Sequence, residues 1–493
     1  MRRIIFFLVL VELTSGILQG YYTPILTDIA RHLGIHDADV NWFEAGQLML
    51  SALAVPLLAK LGDVWGHKRI LLVSSVLTAL ASWGVVIAQD FTSFLIAWAL
   101  QGFYVVWLPM EIALIHSRVR DAPDSAARTR KAAGILVGAL EFGVIAGALA
   151  SGSLSEVFAG SLWLTLTIPA IAATLVCAAI AFGVPSDASR APAGRATEGS
   201  GKAQEPRRLD TVGFGLLTGA LLVLTSGLTF VRLNGTAAWW PWALIVSGVL
   251  LLVPFARHEL RTEDPLVDIR MVAQKNMWPV FLTAGLFGVS VLGAQAPLST
   301  FARTDPKIFG YGMGLAAGQV SIIIGVYVLS LLIGALLFPV VTKVVTPRWT
   351  LVCAAVLVGV GYLLFLPFHA SLVQAMVNMA VAGLGSGALV AALPSAAAAA
   401  APAHRTGMAT GLTNTTKTIG GAVASAVFGI ALFTAGSEAA AGAVQSATAA
   451  PLAGYLTVWA VCGVTALVAA VSLVLVPRNA FADPQEVPSA VVV

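Results

Sequence analysis

The sequence predicts an all-α polytopic membrane protein: two six-helix bundles with two helices inserted between them, fourteen transmembrane spans in all, and both termini cytoplasmic. Three observations predict it. The 493 residues are 58% hydrophobic and 11% charged, with a mean hydropathy of +0.89, too few charges to cover soluble domains. Apolar runs long enough for a helix to cross the hydrocarbon core, about 20 residues, recur along the whole chain. Basic residues collect between alternate runs rather than evenly.

Six spans are expected near 4–26, 42–61, 70–89, 92–115, 132–153 and 161–184, making an N-terminal bundle over 1–184. The first run follows Met1-Arg2-Arg3 in the manner of a signal peptide. It carries Glu12 and no small-residue cleavage site, so it is expected to be retained as a span. Residues 185–210 are rich in Pro, Gly, Ala and Ser and read as a cytoplasmic linker. Two additional spans lie near 211–231 and 239–257, with Trp239, Trp240 and Trp242 as an interfacial belt. A surface-lying cytoplasmic connection over 258–278 leads to the C-terminal bundle, 279–476. Its spans are near 279–300, 316–342, 349–369, 371–398, 406–433 and 452–476, before a cytoplasmic tail, 477–493. Spans eleven and twelve nearly touch, so twelve or thirteen crossings is the competing count.

Charge placement supports fourteen. With the N-terminus inside, every Lys and Arg falls in a cytoplasmic segment or at its edge except Arg31, Arg232, Arg303, Lys307 and the intraspan Lys417. A repeat supports the two bundles: Arg128-Thr129 is followed by Gly134, Gly143 and Gly152, and Arg405-Thr406 by Gly411, Gly420 and Gly429 at the same spacings. A parallel duplication would leave that trace. The net charge of +4 is scattered through short loops and gives no nucleic-acid footprint. Cys177, Cys353 and Cys462 fall in separate apolar runs, with no disulfide framework or metal spacing. No phosphate-cradling loop or nucleophile arrangement is present, so neither a cofactor nor enzymatic activity is expected.

An ionisable residue inside a span is costly unless it faces a partner or a cavity, which makes each one a functional candidate. Glu12 opens a polar stripe of Ser15, Gly16, Gln19 and Thr23 on the first span. Glu141 shares a face with Gly134 and Gly138 on the fifth. These two carboxyls are the expected proton-coupling groups. Lys417, with Asn414 and Thr410 on its face, requires a carboxylate or an anionic substrate as partner, Glu141 or Glu12. Gln19, Trp98, Gln101, Asn378, Asn414 and Lys417 are expected to line a substrate cavity. Glu111 and Arg118, with Asp63, Gly66, Lys68 and Arg69 in the charged hinge Ala59–Arg69, are expected to form an inner gate. Gly134, Gly143, Gly147 and Gly152 are expected to let a neighbouring helix approach closely.

The hinge resembles the loop between spans two and three of the major facilitator superfamily, G-x-L-a-D-r-x-G-r-k. Leu61, Asp63, Gly66 and Lys68 match; Ala59, Val64 and His67 depart. Glu111 and Arg118 resemble the acidic–basic pair beside that loop. Span five resembles the signature G-x8-G-x3-G-P-x2-G-G of the fourteen-span drug:proton antiporter branch. Gly134, Gly143, Gly147 and Gly152 fall in register, with Ala148 for the Pro and Ser151 for a Gly. Phe255, Glu259, Pro265-Leu266 and Asp268, and Asn414 to Gly421, also look like segments of that branch. Two positions depart from it: Trp98 stands where the family has Arg before Gln101-Gly102, and Ser15 where the branch has Asp before a Pro, with Glu12 one turn earlier.

The resemblance implies an exporter of amphipathic small organic molecules in a bacterial inner membrane, monomeric and working by alternating access in exchange for protons. A narrow-specificity metabolite or natural-product carrier or uniporter is one alternative. A membrane receptor or assembly partner that does not transport is the other.

Overall fold

The computed structural model describes residues 2–119, 125–158, 161–185, 210–262, 265–275, 277–400, 406–439 and 449–475. Almost all of the expected linker and the whole C-terminal tail lie outside them, as does the side chain of Asp63. Among the described residues every regular element is a helix. Thirteen stretches are long and apolar enough to cross a membrane, and Pro347–Leu363 is a further apolar helix of 17 residues.

The N-terminal bundle begins with α1 (Arg2–Tyr21), a tight turn through Pro24, and α2 (Leu26–Leu33). Gly34, at φ +62°, ends α2 by turning its N–H back onto the Ala30 and Arg31 carbonyls. α3 (Val40–Trp65) and α4 (His67–Ile87) are joined by the single residue Gly66, at φ +96°. A side chain would oppose that conformation, which accounts physically for the hinge glycine. α5 (Phe91–Gln101) is capped by Asp90, whose carboxylate accepts the N–H groups of Thr92 and Ser93 at 2.9 and 3.0 Å. A 3₁₀ turn, Gly102–Val106, separates it from α6 (Trp107–Val119) within one crossing. Ser51 of α3 donates to the Gly102 carbonyl at 3.0 Å, so the break leaves that oxygen paired in an apolar medium. α7 (Ser125–Val157) and α8 (Leu162–Ala178) complete the bundle.

α9 (Thr211–Asn234) and α10 (Trp239–Glu259) pack on each other where Gly227 and Gly248 remove side chains. The connection beyond α10 folds back: the Val267 N–H reaches Glu259 at 3.0 Å, and Asp268 caps α11 (Ile269–Val272). Then come α12 (Trp278–Val291), α13 (Gln295–Arg303) and α14 (Pro306–Phe309). α15 (Ala317–Val341), α16 (Pro347–Leu363), α17 (Leu372–Ala400), α18 (Thr406–Ala439) and α19 (Leu452–Val474) follow. One apolar core is built around Phe43, Trp98 and Trp107, and a second around Phe301, Phe365, Tyr455 and Trp459. Leu80, Ile87, Leu175, Phe182 and Leu336 stay exposed on the outside, as lipid-facing side chains must.

Helix polarity is readable from glycine contacts. A Cβ on Gly16 would lie 2.0 Å from the Leu140 carbonyl, and one on Gly147 2.9 Å from Ile17 Cα, so α1 and α7 rise together. α12 and α18 repeat the arrangement: a Cβ on Gly288 would strike the Lys417 carbonyl at 1.9 Å, and one on Gly293 would lie 2.7 Å from Ala424 Cβ. Gly383 faces Tyr327 and Gly387 faces Leu331, so α15 and α17 also run parallel. Gly361 meets Ala382 while Gly385 meets Ala354, which sets α16 antiparallel to α17. Chain direction thus defines two ends of the molecule. The proximal end holds Arg2 and the Gly66 turn; the distal end holds Gly34 and Asp90.

The predicted glycine copies behave alike. Gly143 and Gly420 each seat a helix of their own bundle. Gly152 would meet Gly318 Cα of α15 at 2.8 Å, and Gly429 the Ala38 carbonyl at 3.3 Å, so both contact the opposite bundle. Gly134 and Gly411 have nothing within 4 Å among the described residues. Gly134 therefore does not seat a helix, contrary to expectation, because the proximal stretch of α7 has no neighbour on that face.

Candidate functional site

Two groups of buried polar side chains stand out. The first joins Glu12 of α1 to Glu111 of α6. Both are 0% exposed and neighbour each other within hydrogen-bonding reach, and their carboxyl oxygens have no hydrogen-bond partner outside the pair among the described residues. Glu111 thus lies with Glu12 inside the bundle rather than in a gate with Arg118. Two carboxyls packed together without a cation repel when both are ionised, so the pair is built to share protons rather than two negative charges.

The second group lies where the bundles meet. Glu141 of α7 and Lys417 of α18 are half-buried, and each is the other's charged neighbour across the interface. Of the two carboxylates the sequence offered to Lys417, Glu141 is the one beside it. Tyr327 of α15 stands next to Glu141, with its hydroxyl beside Ser386 of α17. Asn414 is half-buried one turn before Lys417. Glu44 of α3 is half-buried beside Tyr104, which in turn neighbours the exposed Gln19. Sequence reasoning missed Glu44, Tyr104 and Tyr327. Glu44 sits at the edge of a run expected to start at 42, and a tyrosine in an apolar run looks like core.

Other expected cavity residues are placed inside their own bundles. Trp98 is 1% exposed and packs on Tyr22, Phe43 and Phe94 at centroid distances of 4.6, 5.7 and 5.7 Å. The Gln101 amide donates to the Tyr22 hydroxyl at 2.8 Å and to Ser82 Oγ at 3.0 Å. Asn378 donates to the Phe368 carbonyl at 2.7 Å. At the proximal end, Lys68 donates to the Ala181 carbonyl at 3.1 Å and Arg118 to the Pro185 carbonyl at 2.6 Å, tying α4 and α6 to the end of the sixth crossing. Arg69 is exposed.

The bundles meet along two seams, α3 on α18 and α7 on α15, and the polar bonds between them cluster at the distal end. Arg303 of α13 pairs with Asp28 of α2, and Ser299 donates to the Thr23 carbonyl. Ser321 of α15 donates to the Ala148 carbonyl at 2.7 Å, and the Gly318 N–H to Glu156 at 3.2 Å. Asp28, His32, Glu156 and Arg303 border a cavity of about 470 Å³ above this seam. On the other seam His36 packs edge-on against Phe433 at 5.5 Å. Burial pushes its imidazole below the usual value, and its Nδ1 accepts the Ala38 N–H at 3.1 Å. Arg232 and Arg303 are two of the cations that broke the charge bias in the sequence; each proves to hold an aspartate.

The chain resembles known transporters throughout its length. It is 24% identical over 454 residues to a probable actinorhodin transporter of Streptomyces coelicolor, covering 90% of this chain and 74% of that protein. It is 27% identical over 429 residues to the puromycin resistance protein pur8 of Streptomyces alboniger, covering 83% and 78%. The tetracenomycin C resistance and export protein of Streptomyces glaucescens is 23% identical over 406 residues, covering 80% and 69%. Among solved structures, a peptide transporter POT in complex with sulfate superposes with a TM-score of 0.67 at 14% identity, over 97% of this chain and 95% of that one. The nucleoside transporter NupG superposes with 0.63 at 12%, over 96% and 98%. The family model described as Major Facilitator Superfamily matches residues 8–313 and again 280–491, the second match opening at α12. With its thirteen membrane-length helices and this match over nearly the whole chain, the protein belongs to the Major Facilitator Superfamily of multi-pass membrane transporters.

Proposed function

We propose that this transporter exports amphipathic small organic molecules across the plasma membrane by alternating access, in exchange for protons. The observation that carries the coupling is the Glu12–Glu111 pair: two adjacent carboxyls in one bundle, fully buried and without a partner outside the pair among the described residues. A buried carboxyl pair whose only partner is a like group suits a proton carrier by its chemistry. Glu141 and Lys417 face each other where the bundles must separate, so a proton or a substrate that disturbs their attraction changes how tightly the halves hold. The relatives named for actinorhodin, puromycin and tetracenomycin C support a small organic cargo. The cavity wall in this reading is Gln19, Glu44, Tyr104, Glu141, Tyr327, Asn414 and Lys417.

In the same reading the chain crosses fourteen times with both termini inside. The antiparallel run of α16 between the parallel α15 and α17 supports the extra crossing. The proximal end is then cytoplasmic, and the bonds gathered at the distal end close the outer mouth, leaving the molecule in an inward-facing state. The hinge Gly66 with Lys68, Arg69 and Arg118 would form the inner gate when the tilt reverses.

Purified protein in liposomes, loaded with actinorhodin, puromycin or tetracenomycin C as first probes, tests this. The expected result is movement of a probe driven by an imposed pH gradient. Equal flux with and without the gradient would replace the antiporter with a uniporter, and no flux of any probe would contradict export.

A further inference from the structure

The inserted helices do more than sit at the edge of the fold. α9 lies along the α3–α18 seam for most of its length. Leu217 and Leu221 pack with Met49 and Leu53 of α3 and Ala422 of α18 near one end. Leu228 packs with Trp42 and Ala45 of α3 and Ala426 of α18 near the other. Nothing equivalent is inserted along α7 and α15 among the described residues. At the distal tip, Arg232 of α9 is held by Asp39, with its Nε 2.8 Å from the carboxylate. The guanidinium also lies 5.4 Å from the Phe91 ring centroid of the N-terminal bundle and 6.0 Å from that of Phe433 in the C-terminal bundle. Its side chain is 17% exposed and that of Asp39 8%, so the ion pair acts in a poorly solvated setting, where it is strongest; Phe433 is 42% exposed, so its contact with the guanidinium is the weaker of the two.

We infer that α9 is a clasp on the distal gate: anchored to the N-terminal bundle through Asp39 and Phe91, it presents Arg232 to Phe433 and holds the α3–α18 seam shut. An outward opening must carry Phe433 away from Arg232 while Asp39 keeps the arginine. The cation–π contact is therefore the bond that breaks, and the ion pair is what keeps the guanidinium aimed. Asp39 and Phe91 orient; Arg232 and Phe433 clasp. The second latch, Asp28 with Arg303, works on the opposite seam without an inserted helix.

The test is a distance measurement between spin labels at His32 (α2) and Ala453 (α19), both exposed at the distal end and on opposite bundles. The full chain is used in lipid nanodiscs, with Cys177, Cys353 and Cys462 replaced by alanine. Arg232→Ala and Phe433→Ala should each raise the long-distance population severalfold, and Phe433→Trp, which keeps a ring, should leave it near the parent value. The exchange Asp39→Arg with Arg232→Asp checks folding; it should express like the parent and still open, because the cation then sits on α3, away from Phe433. Parent-like distributions in both alanine variants would overturn the clasp. So would a shift in Arg232→Ala alone, since the arginine would then act only within its own bundle. The inference assumes alternating access, but the readout needs neither substrate nor proton gradient, so failure of the export reading does not touch it.

Discussion

Glu12, Glu111 and Glu141 separate two kinds of buried charge. Glu12 and Glu111 form a pair of like groups inside one bundle; Glu141 meets an opposite charge across the interface. Glu12→Gln should abolish gradient-driven export while leaving downhill exchange of substrate, measurable in the same liposomes. Unchanged driven export would reject the carboxyl pair as the proton site. Glu141→Gln and Lys417→Gln should each weaken export, and the double variant should lose less than the sum, because each charge acts on the other. Strict additivity would place them too far apart to interact. Gln101→Leu is a contrast. It strips two hydrogen bonds from a buried site and should cost about 1–3 kcal/mol of stability, read by thermal unfolding in detergent, with no change in which probes are carried. Glu12, Glu141 and Lys417 were legible because a charge in a long apolar run has few harmless explanations. Trp98, Gln101 and Asn378 were not, since a sequence gives polarity but not which side of a helix faces the bundle.

Among the elements, α1 with α7 and α12 with α18 come close enough for backbone to touch backbone. Gly16→Val should therefore fail to accumulate or unfold early, because its Cβ alone would stand 2.0 Å from a carbonyl oxygen. Overpacking of this kind costs about 1–3 kcal/mol or more. Gly134→Ala, with open space around it, should be neutral or slightly stabilising, since Ala favours a helix over Gly by roughly 0.5–1 kcal/mol. Expression and thermal stability of the two variants check the pair, and equal loss in both would contradict the contacts described. The glycine repeat was legible from spacing alone. That its first member serves no contact was not, because spacing does not say where neighbouring helices diverge. The eleventh span was expected over 349–369, yet α16 closes at Leu363 and its helix is only 17 residues long. Single cysteines at Thr346 and Ala370 should react with an impermeant reagent from opposite sides of the membrane. Labelling from one side would remove a crossing.

At the scale of the whole molecule, the bundles repeat each other's helix contacts and meet along two matched seams; at the distal end Asp28–Arg303 spans one, and Arg232, held by Asp39, lies against Phe433 at the other. The overall plan was readable because apolar length and charge bias impose it. The closed end was hidden, but its trace was present: Arg232 and Arg303 sat on the wrong side of the charge bias, and a cation there needs a partner. The inserted helices add a third body that bears on only one seam, an asymmetry the repeat cannot reveal. The proposed transporter loads protons on its buried carboxyls as the seams exchange which end is closed. Flux of the amphipathic probes in liposomes, with the pH gradient imposed, abolished and reversed, tests that claim most directly. The account predicts export that follows the gradient in sign and collapses with it in the parent, and that loses this dependence in Glu12→Gln. Export indifferent to the gradient in the parent would contradict it.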